Sequence, residues 1–412
     1  MISIRADKGR IGARTAFLNA VVSRFMLIAM TFLGARYLSI DDFGVFALIM
    51  STASSIATLS AVGVGVVNNS TASRHYEDDP RFVSAVFTGV LLVCLLLSVL
   101  FALAFLPPMI SVESGFSGLE LLAILFAVSA LMTVASASEG LAYGLRRIGT
   151  MLTISVVVLI IAPAATVWFI LSAGLVGAIA ALILFRLLQS GLLFLALLMQ
   201  SRIRLAPGWA WQDRRRVGQL FVTTSLPLAG AALLAAPVTT VAMFLLQRDS
   251  GTDQVAVFAL AYQVFLMIIF PPGAMGHFLL SRLAAKGADG RATLAYSMRY
   301  LMVYGLFGMA IMTGATFAMP LVAPAVPIDI SVMVSFGLAA FFYILTIGYN
   351  NYWSSVGEAR MVFLGQICWA IPFLLVTYLG ASKYGALAVT AGFLAGAIVQ
   401  LAFNIVLYVR RG

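Results

Sequence analysis

Long stretches without a charged residue constrain this chain more than any other feature. Asp, Glu, Lys and Arg are absent from residues 43–73, 82–112, 121–138, 148–185, 217–247, 254–281, 300–328, 330–357, 361–382 and 384–409. About 20 apolar residues suffice to cross a bilayer as a helix, and in hydrocarbon only helices and closed barrels satisfy their own backbone groups. Of the 412 residues, 62% are hydrophobic and 10% charged, where a soluble domain carries about 25% charged residues. A water-soluble fold would have to expose this apolar surface. Soluble enzymes, nucleic-acid-binding domains and disordered tails are therefore excluded. The expected class is an all-α, polytopic membrane protein.

Dividing the longest stretch at Ser172-Ala173-Gly174 and admitting a first run interrupted by Arg24 yields twelve spans, at about 12–37, 44–69, 82–106, 118–143, 149–171, 174–199, 217–246, 255–280, 294–319, 330–354, 360–380 and 384–409. Positive charge is enriched in cytoplasmic loops. With the N-terminus inside, nineteen of the 25 Lys and Arg residues fall on inner segments, three on outer ones (Arg36, Arg248, Lys383) and three within spans (Arg24, Arg186, Arg299). One span more or fewer would destroy this bias. The net charge of +10 is thus a topology signal rather than a nucleic-acid footprint. Both termini and the 200–216 loop are expected inside. The N-terminus lacks the pattern of a cleavable leader.

The basic loop splits the chain into an N-terminal six-helix bundle (1–200), a linker (201–216) and a C-terminal six-helix bundle (217–412). The halves echo each other. Val45 to Leu48 (VFAL) recurs as Val257 to Leu260, Gly144 and Arg147 as Gly357 and Arg360, and Gly174 and Gln189 as Gly385 and Gln400, with shifts of 211 to 213 residues. Six is even, so both halves enter from the same side. The repeat is parallel, about a pseudo-two-fold axis along the membrane normal, one of the known transporter plans.

Residues Ala35 to Leu48 (ARYLSIDDFGVFAL) join an Ala-Arg pair to two acids, Phe-Gly and a further aromatic. They are followed by the small-residue run Ala61 to Gly65 and by Asn68 and Asn69. This region resembles the junction after the first span of polysaccharide flippases of the multidrug/oligosaccharidyl-lipid/polysaccharide exporter superfamily. The resemblance implies alternating-access transport of an undecaprenyl-diphosphate-linked oligosaccharide from the inner to the outer leaflet of a bacterial inner membrane. Other polysaccharide-assembly proteins are the implied partners. Multidrug exporters of the superfamily often carry an acid in the first span. Here the first span has no acid and its ionisable residue inside the membrane is Arg24, which tilts the reading toward an anionic substrate. A multidrug/cation antiporter is the alternative within the superfamily. A membrane-embedded polymerase or ligase is the alternative outside it, and the short outer loops disfavour that.

The candidate site residues are those that a bilayer makes costly. A charge at mid-membrane costs about 2.5–3.5 kcal/mol on insertion scales and so faces a cavity or a partner. Arg24, with Asn19 nearby on the same helix, suits a diphosphate, because a guanidinium offers paired donors to phosphate oxygens. Arg186 shares a helical face with Gln189 and Ser190. Arg299 sits near a span's start, where snorkelling to the surface competes with ligand binding. Glu139 either pairs with an arginine, carries a coupling proton or lies at the surface near Arg146. Tyr343, Thr346, Asn350 and Trp353 form a polar-aromatic stripe that suits sugars or simply packs. Pro227, Pro237, Pro271 and Pro272 interrupt spans and mark expected bends for gating. Cys94, Cys368, His75 and His277 have no metal-ligand spacing. No phosphate-binding glycine loop is present, so no cofactor is expected, and energy is expected from ion gradients, membrane potential or a partner.

Overall fold

A computed structural model of the chain describes residues 2–61, 63–112, 114–220, 234, 236–283, 290–356 and 358–411. Fourteen helices occupy them: α1 (Ile2–Tyr37), α2 (Ile40–Ser60), α3 (Val64–His75), α4 (Pro80–Ile110), α5 (Gly118–Gly144), α6 (Ile148–Gln200), α7 (Pro207–Gln212), α8 (Arg214–Leu220), α9 (Ala236–Ser250), α10 (Thr252–Leu283), α11 (Gly290–Val322), α12 (Ile330–Ser355), α13 (Ala359–Tyr384) and α14 (Ala386–Arg411). No strand occurs among the described residues. Ten of these helices are long and apolar enough to cross a membrane. The 53-residue α6 is a pair of spans joined end to end, broken at Ala173 (φ −145°, ψ 17°) and Gly174 (φ 55°, ψ −129°). The expected span over 217–246 falls in part, at 221–233 and 235, on residues outside the described set, and its later part is α9.

Local chemistry accounts for the helix starts. Asp79 accepts a hydrogen bond from the Phe82 amide (2.9 Å), and Pro80 fills the first helical position of α4, where a missing N–H costs nothing. Ser117 and Glu120 form a reciprocal capping box at α5, the pattern that satisfies two orphan amides at once.

One expected span is corrected. Residues 44–69 are not one helix, since the chain breaks between Ser60 and Val64, with Gly63 at φ +66°. The cause is close packing of α3 on α5. A side chain on Gly140 would collide with the Gly65 backbone, and one on Gly144 with Asn69 and Ala72. Glycines permit this approach, and the buried Asn68 amide donates to the Ala137 carbonyl across it (3.2 Å).

The chain forms two compact units. One comprises Met1–Leu33 and Ile49–Pro237, the other Gly34–Leu48 and Val238–Gly412. The α1–α2 turn belongs to the second unit because it is bonded there. Asp41 accepts from the Thr252 hydroxyl (2.7 Å), Arg36 donates to the Leu321 carbonyl (2.8 Å), and a side chain on Gly44 would fall on the Thr252 carbonyl.

In the first unit α4 buries a face that is apolar apart from Ser84, Thr88 and Ser98, and exposes a second apolar face. Leu92, Leu96, Leu100 and Leu103 are exposed along one stripe, while Ser98 is buried and donates to Ser60 (2.9 Å), which is 3.2 Å from Thr133. Such polar contacts hold helices together where lipid tails are as apolar as leucine. The second unit is centred on aromatic rings. Phe258, Phe265, Phe336 and Phe373 are each at most 1% exposed, and Phe393 meets Phe265 at 4.8 Å and Trp369 at 5.0 Å.

The internal repeat is visible in backbone geometry. Gly385, between α13 and α14, has φ 55° and ψ −134°, nearly the values of Gly174 between the two halves of α6. This conformation is accessible essentially to glycine alone, which explains why the same residue stands at both positions.

The prolines behave differently from one another. Pro227 lies outside the described residues. Pro237 is the second residue of α9, where a proline does not interrupt a helix. Pro271 and Pro272 sit within α10, which stays helical across them. The carbonyl that lacks its Pro272 partner, Ile268, accepts instead from the Tyr304 hydroxyl of α11 (3.0 Å).

Candidate substrate site

In the first unit, five of the polar residues singled out in the sequence converge. Asn19 and Arg24 come from α1, Glu139 from α5, and Arg186 and Gln189 from the second half of α6. Asn19, Arg186 and Gln189 are 3%, 7% and 8% exposed, whereas Arg24 and Glu139 are half-buried. A chain of hydrogen bonds ties three helical segments together. Ser155 donates to the Asn19 side-chain oxygen (2.9 Å), the Ser155 and Ser23 hydroxyls are 3.4 Å apart, and the Gln189 amide donates to Ser23 (3.4 Å). Ser190 turns back to the Arg186 carbonyl (2.6 Å), satisfying its own hydroxyl within the helix.

Charge organises the rest. Glu139 interacts electrostatically with Arg186, and Arg186 in turn with Arg24. Tyr143, one turn beyond Glu139, stands beside both Glu139 and Asn19. The cluster thus holds two guanidiniums against one carboxylate. It also holds polar atoms with unused capacity: the Nε of Arg186 and the Oε1 of Gln189 are buried and have no hydrogen-bond partner. Buried polar groups are nearly always paired, so an unpaired donor and acceptor three residues apart on one helix face mark a place that a ligand can complete. Charges removed from water are screened less than charges at a surface. A net-positive cluster removed from water is therefore suited to a phosphate or diphosphate, with the amides of Asn19 and Gln189 left for uncharged groups.

The other candidates belong to the second unit. Arg299, on α11 of the second unit, is exposed between Tyr296 and Tyr300, themselves exposed, with hydroxyls 2.7 Å apart. Tyr343 turns into the aromatic core, with ring centroids 5.9 Å from Phe265 and 6.1 Å from Phe393. Thr346 bonds to the Tyr343 carbonyl (2.7 Å). The Trp353 indole donates to Asn404 (2.9 Å). Asn350 keeps a buried side-chain oxygen without a partner. The stripe is thus mostly packing, as its spacing equally allowed. Beside it lies a polar seam that the stripe alone did not reveal. Gln400 and Asn404 of α14 are both fully buried, and both amide atoms of Gln400 lack partners. The available signal was the repeat itself, which pairs Gln400 with Gln189.

Among the described residues no three His, Cys, Asp or Glu side chains are grouped as metal ligands. His75 packs edge-on against Phe82 (5.6 Å), and Cys94 is fully buried.

Comparison with known proteins agrees with this architecture. The chain is 26% identical to the EPS I polysaccharide export inner membrane protein EpsE of Ralstonia solanacearum over 316 residues, covering 71% of this chain and 69% of that one. Its fold is similar to an inward-facing multidrug resistance MATE family transporter of the MOP superfamily, with a TM-score of 0.77 at 18% identity over 96% of this chain and 98% of the other. It is also similar to the lipid II flippase MurJ in an inward closed conformation, with a TM-score of 0.72 at 14% identity over 98% of this chain and 87% of the other. These folds share the twelve-helix, two-repeat plan. The profile of the family described as "Polysaccharide biosynthesis protein" matches residues 15–271, and the chain belongs to that family.

Proposed function

We propose that this polytopic membrane protein is a flippase. It carries an undecaprenyl-diphosphate-linked oligosaccharide from the cytoplasmic to the outer leaflet by alternating access, for polysaccharide biosynthesis. The observation that carries the reading is the buried Arg186, whose Nε is unpartnered, in a cluster with a surplus of positive charge. The lipid tail of such a substrate stays in the bilayer, so only its head group must cross, and the diphosphate is the part that a bilayer most strongly rejects. Arg24 and Arg186 hold the diphosphate, while neutral amides meet the sugars. The name of the Ralstonia relative, an inner-membrane polysaccharide export protein, and the flippase fold of MurJ support the same direction. In this reading the two six-helix halves, divided at the 201–216 linker, are related by an axis along the membrane normal, and both termini are cytoplasmic.

A cation or drug antiporter, as in the MATE fold neighbour, is the second reading. Glu139 is the feature that favours it. The two guanidiniums beside that carboxylate give the cluster the wrong sign for a cation.

The test is surface polysaccharide in a strain lacking the native gene, with the membrane abundance of each variant as control. Arg24→Ala abolishes export at normal abundance. Arg24→Lys restores it only in part, because an ammonium lacks the paired donor geometry. Normal polymer from Arg24→Ala would remove Arg24 from the phosphate grip.

A further inference from the structure

The basic linker has no part in the cluster described above. Residues 201–220 contain five arginines and one acid, Asp213. They form an ordered strap on α4. The Arg204 amide donates to Ser84 (3.1 Å) and the Ala206 amide to Thr88 (3.2 Å), one turn apart, while the Arg202 amide donates to the Tyr76 hydroxyl (3.1 Å). Ile203 and Val217 are buried beneath it, 1% and 8% exposed. Arg81 bonds to Gln212 and stacks on Trp209 (5.4 Å), and Arg216 lies 3.7 Å over Phe82. Thr88 is eight residues into a helix that starts at Pro80, which places the strap within about 12 Å of the helix end at 1.5 Å per residue. With the ends of α4 at the two bilayer surfaces, the strap lies on the headgroup side of that span.

The opposite face of the strap is uncovered. Trp211 is 71% and Leu205 48% exposed. Arg202, Arg204, Arg214 and Arg215 are exposed with them. Arg214 donates to the Trp211 carbonyl (3.2 Å) and lies 4.9 Å over its ring, so indole and guanidinium form one amphipathic tip. An indole favours the layer where one end is apolar and the other wet, and clustered arginines next to a span attract anionic lipid.

We propose that this strap is a docking surface for anionic phospholipid headgroups. Trp211 and Leu205 enter the headgroup layer, and Arg202, Arg204, Arg214 and Arg215 pair with lipid phosphates. Only the choice of the cytoplasmic leaflet rests on the topology proposed above. The surface itself depends on neither the substrate nor the transport reading. A soluble acidic protein would match the charge but would not account for an exposed indole and leucine beside the start of a membrane-spanning helix.

The test uses the full-length protein reconstituted in phosphatidylcholine vesicles containing about one third phosphatidylglycerol, with no oligosaccharide lipid present. Either lipid is supplied in brominated form at equal mole fraction, and Trp211 fluorescence is isolated as the difference between the protein and Trp211→Phe. Brominated phosphatidylglycerol is expected to quench Trp211 several-fold more than brominated phosphatidylcholine. The preference should fall to parity in high salt and in the variant combining Arg202→Gln, Arg204→Gln, Arg214→Gln and Arg215→Gln. The salt titration needs no variant and stands if the quadruple substitution fails to fold. Equal quenching by the two lipids at low salt, or no quenching by either, would overturn the proposal. Because no substrate is in the vesicles, that result would leave the transport reading untouched.

Discussion

Arg186→Gln is the most informative perturbation of the candidate site. Arg186 is 7% exposed, its Nε is unpartnered, and it interacts with Glu139. Removing the guanidinium has two separable consequences. The first is structural: Glu139 loses its counter-charge in the membrane interior. A half-buried carboxylate left without its counter-charge destabilises the fold, so lower membrane abundance is expected. The second is functional: a charge-assisted hydrogen bond to phosphate is worth about 1.5–3 kcal/mol. At about 1.4 kcal/mol per tenfold, affinity for the diphosphate should fall roughly ten- to a hundredfold. Glu139→Gln combined with Arg186→Gln separates the two, because it removes both charges and leaves no uncompensated ion. The double variant should return to normal abundance yet still fail to support export. The assay is surface polysaccharide per unit of membrane protein in a strain lacking the native gene. Export at the native level from the double variant would refute the assignment of Arg186 to phosphate. A double variant no more abundant than Arg186→Gln would refute the electrostatic account of Glu139.

Two further predictions follow from backbone geometry and topology. Gly385→Ala should lower the thermal midpoint of the purified protein more than Gly174→Ala, because both strain the same left-handed conformation but only the first drives a Cβ into the Gln254 side chain; equal shifts would mean that the contact does not matter. With Cys94 and Cys368 replaced by Ser, Trp209→Cys should react with an impermeant maleimide only after the cells are opened, and labelling of intact cells would invert the proposed orientation.

The division between what was legible in the sequence and what was not follows the physics of each property. Span positions depend on the local sum of residue transfer energies, so most of them can be read along the chain. Cost also singles out residues individually: a bilayer charges any arginine or glutamate it contains, which is why Arg24, Arg186 and Glu139 stood out. The repeat was readable because Gly174 and Gly385 must adopt a conformation that other residues resist. Convergence is a different kind of property. That Glu139 interacts with Arg186, that Ser155 bridges Asn19 and Ser23, and that Tyr143 stands beside Glu139 and Asn19 depend on how each helix is rotated and how closely it approaches its neighbours. Those quantities are set by packing such as the Gly65–Gly140 approach, between residues far apart in sequence. The same rotation carried Tyr343 into an aromatic core and Arg299 onto an exposed face, although their helical spacing was equally compatible with a cavity. Periodicity states which residues share a face of a helix, and tertiary packing alone decides what that face meets.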